Sequence, residues 1–356
     1  MPGRGRLSNA SMVRRPATGS MPRMGDEPSE PSASGSLRLA VWASRESEDL
    51  LAEIATHGGI EVVRVGAAEP VVARDLATRS GGRPADDPRE ALASAEVDAL
   101  LLLAPDALDT PTLRATLELD KPVLAERPVP VRVEEWTDFE AAPRRPVPVP
   151  RISASRHWLA CGDWIEAIGP IAAMHVSLRC HPSEGSLAGR LADGLDLVLA
   201  QLGMPARIAA FGTALGTVPE SHRGEDRAPT TMTAGFADGR WATVQVAIGP
   251  HPWHRGVELL GENGMVRWTD REIEWIGPAG IERGVGNALP GESVEDASPP
   301  RPGAVIGEFL HRWWLRQAGP SDPPLPHREL LSCLEATRLS ARTGCHEDPG
   351  GLMSLL

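Results

Sequence analysis

From Leu37 onward, short apolar runs alternate with segments whose apolar residues recur every three or four positions. That alternation predicts βαβ units around a parallel sheet. Leu37–Trp42 reads as a first strand, 46–57 as a helix and 60–65 as a second strand. Helices are expected over 71–79 and 88–94. The run 97–103 is apolar except for Asp98, which predicts a strand buried on both faces. A helix over 110–119, a strand over 122–125 and a helix over 133–141 complete a doubly wound domain. The stretch 145–152, Arg-Pro-Val-Pro-Val-Pro-Arg-Ile, reads either as a polyproline linker or as an edge strand, because its prolines remove ladder donors while its valines alternate. We favour the edge strand, which ends the first domain near residue 153.

Beyond that point the period changes. Strands are expected over 171–179, 207–213, 230–236, 241–248, 256–260, 265–268 and 273–276. Tight turns at Ala237-Asp238-Gly239 and Glu262-Asn263-Gly264 make them an antiparallel meander. One helix over 187–202 interrupts it, and two more, 305–317 and 328–343, follow a Pro/Gly-rich loop at 284–303. The expected fold class is α/β followed by α+β: a doubly wound parallel sheet, then a C-terminal domain with a large open, mostly antiparallel sheet. Residues 1–36 form a tail, 37–153 the first domain and 154–356 the second.

A length of 356 residues suits two domains. No apolar run approaches the roughly 18 residues of a membrane span. A net charge of −12 without a basic stripe argues against nucleic acid. Cys161, Cys180, Cys333 and Cys345 are scattered with no C-x-x-C pair, as expected of reduced, mostly buried thiols in a cytoplasmic protein. The tail is rich in Pro, Ser, Gly and Arg and is expected to be disordered; Met12, Met21 and Met24 leave a later start open. Tyrosine is absent and Lys121 is the only lysine, which narrows the available proton donors.

The stretch Asp120-Lys-Pro-Val-Leu-Ala-Glu-Arg-Pro128, after a buried strand and Pro105, resembles the G-K-x-V-x-x-E-K-P signature of the Gfo/Idh/MocA oxidoreductases. Asp193-Gly-Leu-Asp196, with Gly203 seven residues later, is similar to that family's H-x-x-D helix. Ala167-Ile-Gly-Pro-Ile171, the run from Gly235 to Gly264 and Ser340-Ala-Arg-Thr-Gly344 also sit where the family has its counterparts. The resemblance covers about residues 37–350. It implies a Rossmann-like first domain, NAD or NADP as cofactor, a sugar-like small-molecule substrate and a homo-oligomer formed through the open sheet. It assigns Ala43, Ser44, Arg45, Pro105 and Glu126 to cofactor binding, and Arg127, Asp193 and Asp196 to catalysis.

The residue types at those positions depart from the pattern. Glycines let a backbone approach a pyrophosphate at a helix N-terminus, but the turn after the first strand reads Ala43-Ser-Arg-Glu-Ser47. It also reads as a plain turn capped by Ser44 or Ser47. Val65-Gly-Ala-Ala68 lacks the ribose carboxylate, although Arg64 or Arg74 offers a guanidinium to a 2′-phosphate. Arg127 replaces the motif lysine and can polarise but not shuttle a proton. Lys121 matches the motif's first, structural lysine. Asp193 replaces the histidine; with Asp196 it forms a carboxylate pair able to share a proton, or a structural ion pair with Arg190 or Arg127. Asp109 stands in the loop where the family often has histidine. His251 with His254, and Cys180 with His181, lack a third ligand nearby, so no metal is expected. Trp313-Trp314 is expected in the core or a dimer interface. Two functions remain open: a pseudoenzyme-like, weakly active or non-catalytic ligand-binding homologue, or an active oxidoreductase on a sugar or polyol using Arg127 and the Asp193/Asp196 pair.

Overall fold

The computed structural model describes residues 35–104, 108–126, 139, 145–212, 229–278, 280–285, 301–317 and 326–354. Gly35–Leu356 forms one compact unit. Its first part contains β1 (Leu37–Trp42), α1 (Glu48–Ala55), β2 (Ile60–Gly66), α2 (Pro70–Ser80), β3 (Arg83–Ala85), α3 (Pro88–Ala93), β4 (Ala99–Leu102), α4 (Thr110–Leu117), β5 (Val123–Ala125) and β6 (Val147–Pro148). The six strands form a parallel sheet in the order β3-β2-β1-β4-β5-β6. Alternate β1 residues serve opposite layers, as the two-residue period of a strand requires. Leu37, Leu39 and Val41 pack with Leu50, Ile54 and Leu76, whereas Ala40 and Trp42 pack with Leu92, Leu113 and Leu117.

The strand order reverses between β1 and β4, and ligands of open α/β sheets bind at that switch point, outside the carboxyl ends of the strands. Register places Gly66, Trp42, Leu102, Ala125 and Pro148 level with one another. Ala67, Ala43, Leu103, Glu126 and Val149 therefore line that edge.

The second part contains β7 (Ile171–Cys180), β8 (Arg207–Phe211), β9 (Thr230–Gly235), β10 (Trp241–Ile248), β11 (His254–Gly261), β12 (Gly264–Thr269), β13 (Glu272–Gly277) and β14 (Gly280–Val285). Their order is β14-β13-β12-β11-β7-β10-β9-β8. The helices are α5 (Arg156–Leu159), α6 (Gly162–Ala167), α7 (Leu187–Leu202), α8 (Pro302–Gln317), α9 (His327–Thr343) and α10 (Pro349–Met353). The inward faces of β7 and β9–β12 pack with α7 and α9 in one core that includes Val176, Val244, Leu195 and Leu330. Helix α8 instead lies on the first sheet, where Ile306 and Leu310 join Leu39 and Ile54.

Several expectations need correction. The second sheet is not a simple meander, because β7 lies between β11 and β10 and runs parallel to β10. The chain leaves β7 through α7, a crossover helix of the kind that lets a strand return in the same direction. The helix expected from residue 46 begins instead as a 3₁₀ turn, Arg45–Ser47, ahead of α1. Two strands gave no sequence signal: β3 is three residues with a central proline, and β14 carries two glycines and two charges among six positions. The helix expected over 133–141 lies outside the described residues, apart from the buried Phe139. Residues 145–152 do supply an edge strand, β6, whose Pro148 sits at the rim of the sheet where a missing donor is tolerated. Trp313 and Trp314 pack against the core of the first sheet. No helix among the described residues is long and apolar enough to cross a membrane.

Candidate functional site

At the switch point the chain leaves β1 through Ala43, Ser44 and Arg45. Ala43 is fully buried and its N–H donates to the Gly66 carbonyl at 2.9 Å, so it is not free for a ligand. Neither Ser44 nor Ser47 caps a helix through its side chain, contrary to expectation; their hydroxyls lie 3.3 Å apart. The Arg45 guanidinium is 3.8 Å from Asp75, an exposed pair of small energetic weight. Trp42 occupies the last position of β1. Its indole lies against Gly66, where a Cβ would come within 2.3 Å of the ring. Three acidic residues, Glu46, Glu48 and Asp49, occupy the first turns after the strand. At the end of β2, Ala67 is buried, and the first carboxylate after it is the exposed Glu69 at the head of α2.

Two strands away, the same edge meets α7. The helix is wedged between the sheets: a Cβ on Gly194 would meet Val244 at 2.6 Å, and one on Gly189 would meet the Glu126 carbonyl oxygen at 2.4 Å. Only glycine at 189 allows this approach. Ser186, the N-cap of α7, donates through its N–H and its hydroxyl to the Glu126 carboxylate, both at 2.8 Å. A carboxylate at the N-terminus of a sixteen-residue helix also opposes the helix dipole favourably. Glu126 is thus a bond between the first sheet and the helix of the second.

One turn along, Asp193 and Asp196 point at the segment leaving β6. Asp193 Oδ1 accepts the Ile152 N–H at 2.7 Å. Arg151 donates to both oxygens of Asp196 at 3.1 and 2.9 Å, and the Ser153 hydroxyl donates to Oδ2. The other oxygen of Asp193 lies 3.7 Å from Arg190 and 3.8 Å from Arg255, and Arg190 lies 3.5 Å from Glu126. Arg255 is fixed more tightly: it donates to Asp270 at 2.9 and 2.6 Å, and Trp253 donates to the other oxygen at 3.2 Å. Both guanidiniums face Trp253, at 5.0 and 5.9 Å from the ring. Burial pushes the Asp193 carboxyl up to about 6, although Arg255, Arg190 and the Ile152 N–H all favour its ionised form. Asp196, three residues along the same helix, adds a like charge that also works against the ionised form.

The structure brings Glu126, Asp193 and Asp196 together at one junction. It holds Ala43, Ser44 and Arg45 beyond β4 on the same edge, while Arg127 and Pro105 lie outside the described residues. Asp109 caps α4, accepting the Thr112 N–H at 2.7 Å, and Lys121 donates to the Ser94 carbonyl at the entrance of β5. Of the ion-pair alternatives for Asp193, Arg190 is present. Sequence reasoning missed Arg255, Asp270 and Trp253. The available signal was the period of β11, where Arg255 shares the inward-facing set with Val257 and Leu259. Cys161, Cys180 and Cys333 are buried, with thiols pushed up to about 12, and Cys345 is exposed; none forms a disulfide. No group among the described residues has the makings of a metal site.

No family model matches the sequence, and no curated protein matches it. Solved structures do match. The chain is similar to levoglucosan dehydrogenase in complex with NADH and levoglucosan, with 15% identity over 88% of this chain and 99% of that one, TM-score 0.67. It is similar to an NAD-binding oxidoreductase from Klebsiella pneumoniae, with 14% identity over 88% and 98%, TM-score 0.66. A third is the WlbA dehydrogenase from Bordetella pertussis in complex with NADH and UDP-GlcNAcA, with 19% identity over 89% and 99%, TM-score 0.62. These are oxidoreductases of the Gfo/Idh/MocA type, and at such identities the likeness is one of fold. The parallel six-stranded sheet with its large, mostly antiparallel companion is the architecture of that family.

Proposed function

We propose that this protein is a divergent homologue of the Gfo/Idh/MocA oxidoreductases that binds a small molecule and has lost efficient hydride transfer. One observation carries this reading: Glu126, Asp193 and Asp196 are all engaged in joining α7 to the edge of the first sheet. A general acid or base must reach the proton it moves, and the Asp193 side chain is 1% exposed, fixed by a backbone N–H and two guanidiniums.

The cofactor positions support the same reading. A dinucleotide needs free backbone donors after β1 and a carboxylate after β2. Here Ala43 donates to Gly66, Trp42 lies over that glycine, and Ala67 stands where the carboxylate belongs. Glu46, Glu48 and Asp49 oppose a pyrophosphate at the head of α1. The described residues fit NAD poorly, lacking both the free turn after β1 and the ribose carboxylate, although similar structures hold NADH. A second reading has one observation in its favour: a carboxyl near 6 at Asp193 exchanges protons close to neutral pH. An active enzyme would then use Arg127 to bind a sugar-like substrate, the Asp193/Asp196 pair to move the proton, and NAD or NADP as the hydride partner. Fluorescence titration with NADH and NADPH separates the two. We expect no saturable binding tighter than about 100 μM. Tighter binding, with turnover on a panel of sugars and polyols, would sink the non-catalytic reading.

The proposal includes a homo-oligomer. Across the open face of the second sheet, register aligns Trp241, Ala173, Leu260, Met265, Ile276 and Ile281 in one apolar row. Trp241, Leu260 and Ile281 are 47%, 49% and 58% exposed. The neighbouring row is charged, with Arg267 bridging Glu258 and Glu274 at 3.0 Å each. An apolar stripe bordered by ion pairs is self-complementary under a two-fold axis. Light scattering after gel filtration should give a multiple of the chain mass, and Trp241→Arg with Leu260→Arg should give a monomer. A monomeric wild type would refute this part. Free cysteines and the absence of a spanning helix among the described residues accord with a cytoplasmic location.

A further inference from the structure

Where β7 ends and β11 begins, the second sheet carries an open groove of about 330 Å³. That is within the roughly 300–1,000 Å³ of small-molecule sites. Its inner wall is the Arg255–Asp270 pair together with Trp253, so the wall's carboxylate is already neutralised by Arg255 and bonded by the indole N–H. Through Arg255, which also reaches Asp193 at 3.8 Å, the groove adjoins the junction described above.

The outer wall has a different character. Arg179 and Arg271 line it, and among the described residues neither guanidinium takes part in an ion pair or hydrogen bond. His254 is the cross-strand partner of Arg179 and shares its face. Burial and the Arg179 charge lower the affinity of that imidazole for a proton, so at neutral pH it offers a neutral N–H beside a cation. Glu272 stands at the lip and offsets one of the two free charges. In a chain of net charge −12, two unpaired guanidiniums facing one groove form a local site for an anion, since the planar fork of arginine matches carboxylate and phosphoryl oxygens. We propose that this groove binds a small metabolite through an oxyanion group, phosphoryl or carboxylate, held by Arg179 and Arg271 with His254 beside them.

The site is compatible with the oligomer. Arg179 is six residues along β7 from Ala173, the member of the apolar row on that strand, which separates the two by about 20 Å. Nor does it depend on the cofactor reading, because it shares no residue with the edge of the first sheet.

The test is a thermal-shift and calorimetric titration of the full chain with sodium phosphate and with sodium succinate, against sodium chloride of equal ionic strength. Phosphate at about 20 mM should raise the melting temperature by about 3 °C over chloride. In Arg179→Gln/Arg271→Gln the response should fall at least about tenfold in apparent affinity. Both residues are exposed, so the unliganded variant should melt within about 1 °C of the wild type. A response to phosphate alone supports a phosphoryl ligand, and a response to both anions supports the wider oxyanion class. No response above chloride, or an equal response in the double variant, overturns the proposal. The NADH titration in the same double variant should be unchanged, which keeps failure here distinct from failure of the proposed function.

Discussion

Arg255→Leu is expected to lower the melting temperature by about 6 °C, the largest effect of any single change at the α7 junction. Arg255 is 3% exposed and lies between two buried carboxylates, Asp270 at 2.6 Å and Asp193 at 3.8 Å. Leucine fills much of the volume but removes the guanidinium that Asp270 holds at 2.6 Å and one of the two that flank Asp193, which keeps Arg190 at 3.7 Å. Removing one partner of a buried pair costs about 3–5 kcal/mol, because the remaining ion keeps its desolvation penalty. In a chain of this size each kcal/mol moves the midpoint by about 1–2 °C. Trp253 still donates to Asp270, which moderates the loss. Combining Arg255→Leu with Asp270→Asn should recover part of it, and a double-mutant cycle should return a coupling of about 2 kcal/mol. Loss of less than about 1 kcal/mol in Arg255→Leu would mean that the pair does not hold the junction together.

That junction also marks the limit of what the chain reveals by pattern alone. The scaffold is legible because its signals are local. An apolar run of period two at 37–42 makes β1, and a stripe of period 3.6 bounded by Ser186 and Gly203 makes α7. Asp193 and Asp196 are legible as a pair because three residues put two side chains on one helix face. Their partners are not. Ile152 is 41 residues from Asp193, Arg151 is 45 from Asp196 and Ser186 is 60 from Glu126, and no local period connects them. The parallel pairing of β7 with β10 is hidden for the same reason, since a strand's period says which face is buried and nothing about its neighbour. Glycine is the partial exception. Gly189 interrupts a good helix at a cost of about 1 kcal/mol relative to alanine, which signals a close approach without naming Glu126 as what approaches.

Asp193→Asn should invert the relative stability of variant and wild type across mild acid. In the folded protein burial raises this carboxyl to about 6, against an ordinary value near 3.9 when unfolded. A raised acid contributes stability that is fully present below the unfolded value and is lost as pH rises through the folded one. The window is therefore about pH 4 to 6, and the contribution is gone above it. Asparagine keeps the acceptor for the Ile152 N–H and cannot ionise, so it carries none of this dependence. The wild type should lose about 2 kcal/mol relative to the variant between pH 4.5 and 7.5, as read from urea melts at each pH. Arg190 and Arg255 set the sign of any residual offset, because the variant deprives both of a counter-ion at 3.7 and 3.8 Å. Parallel stability curves for the two proteins would show that Asp193 is ionised throughout. It would then be a fixed anion between two arginines, and the second functional reading, which needs a carboxyl that exchanges its proton near neutral pH, would lose the observation that favours it.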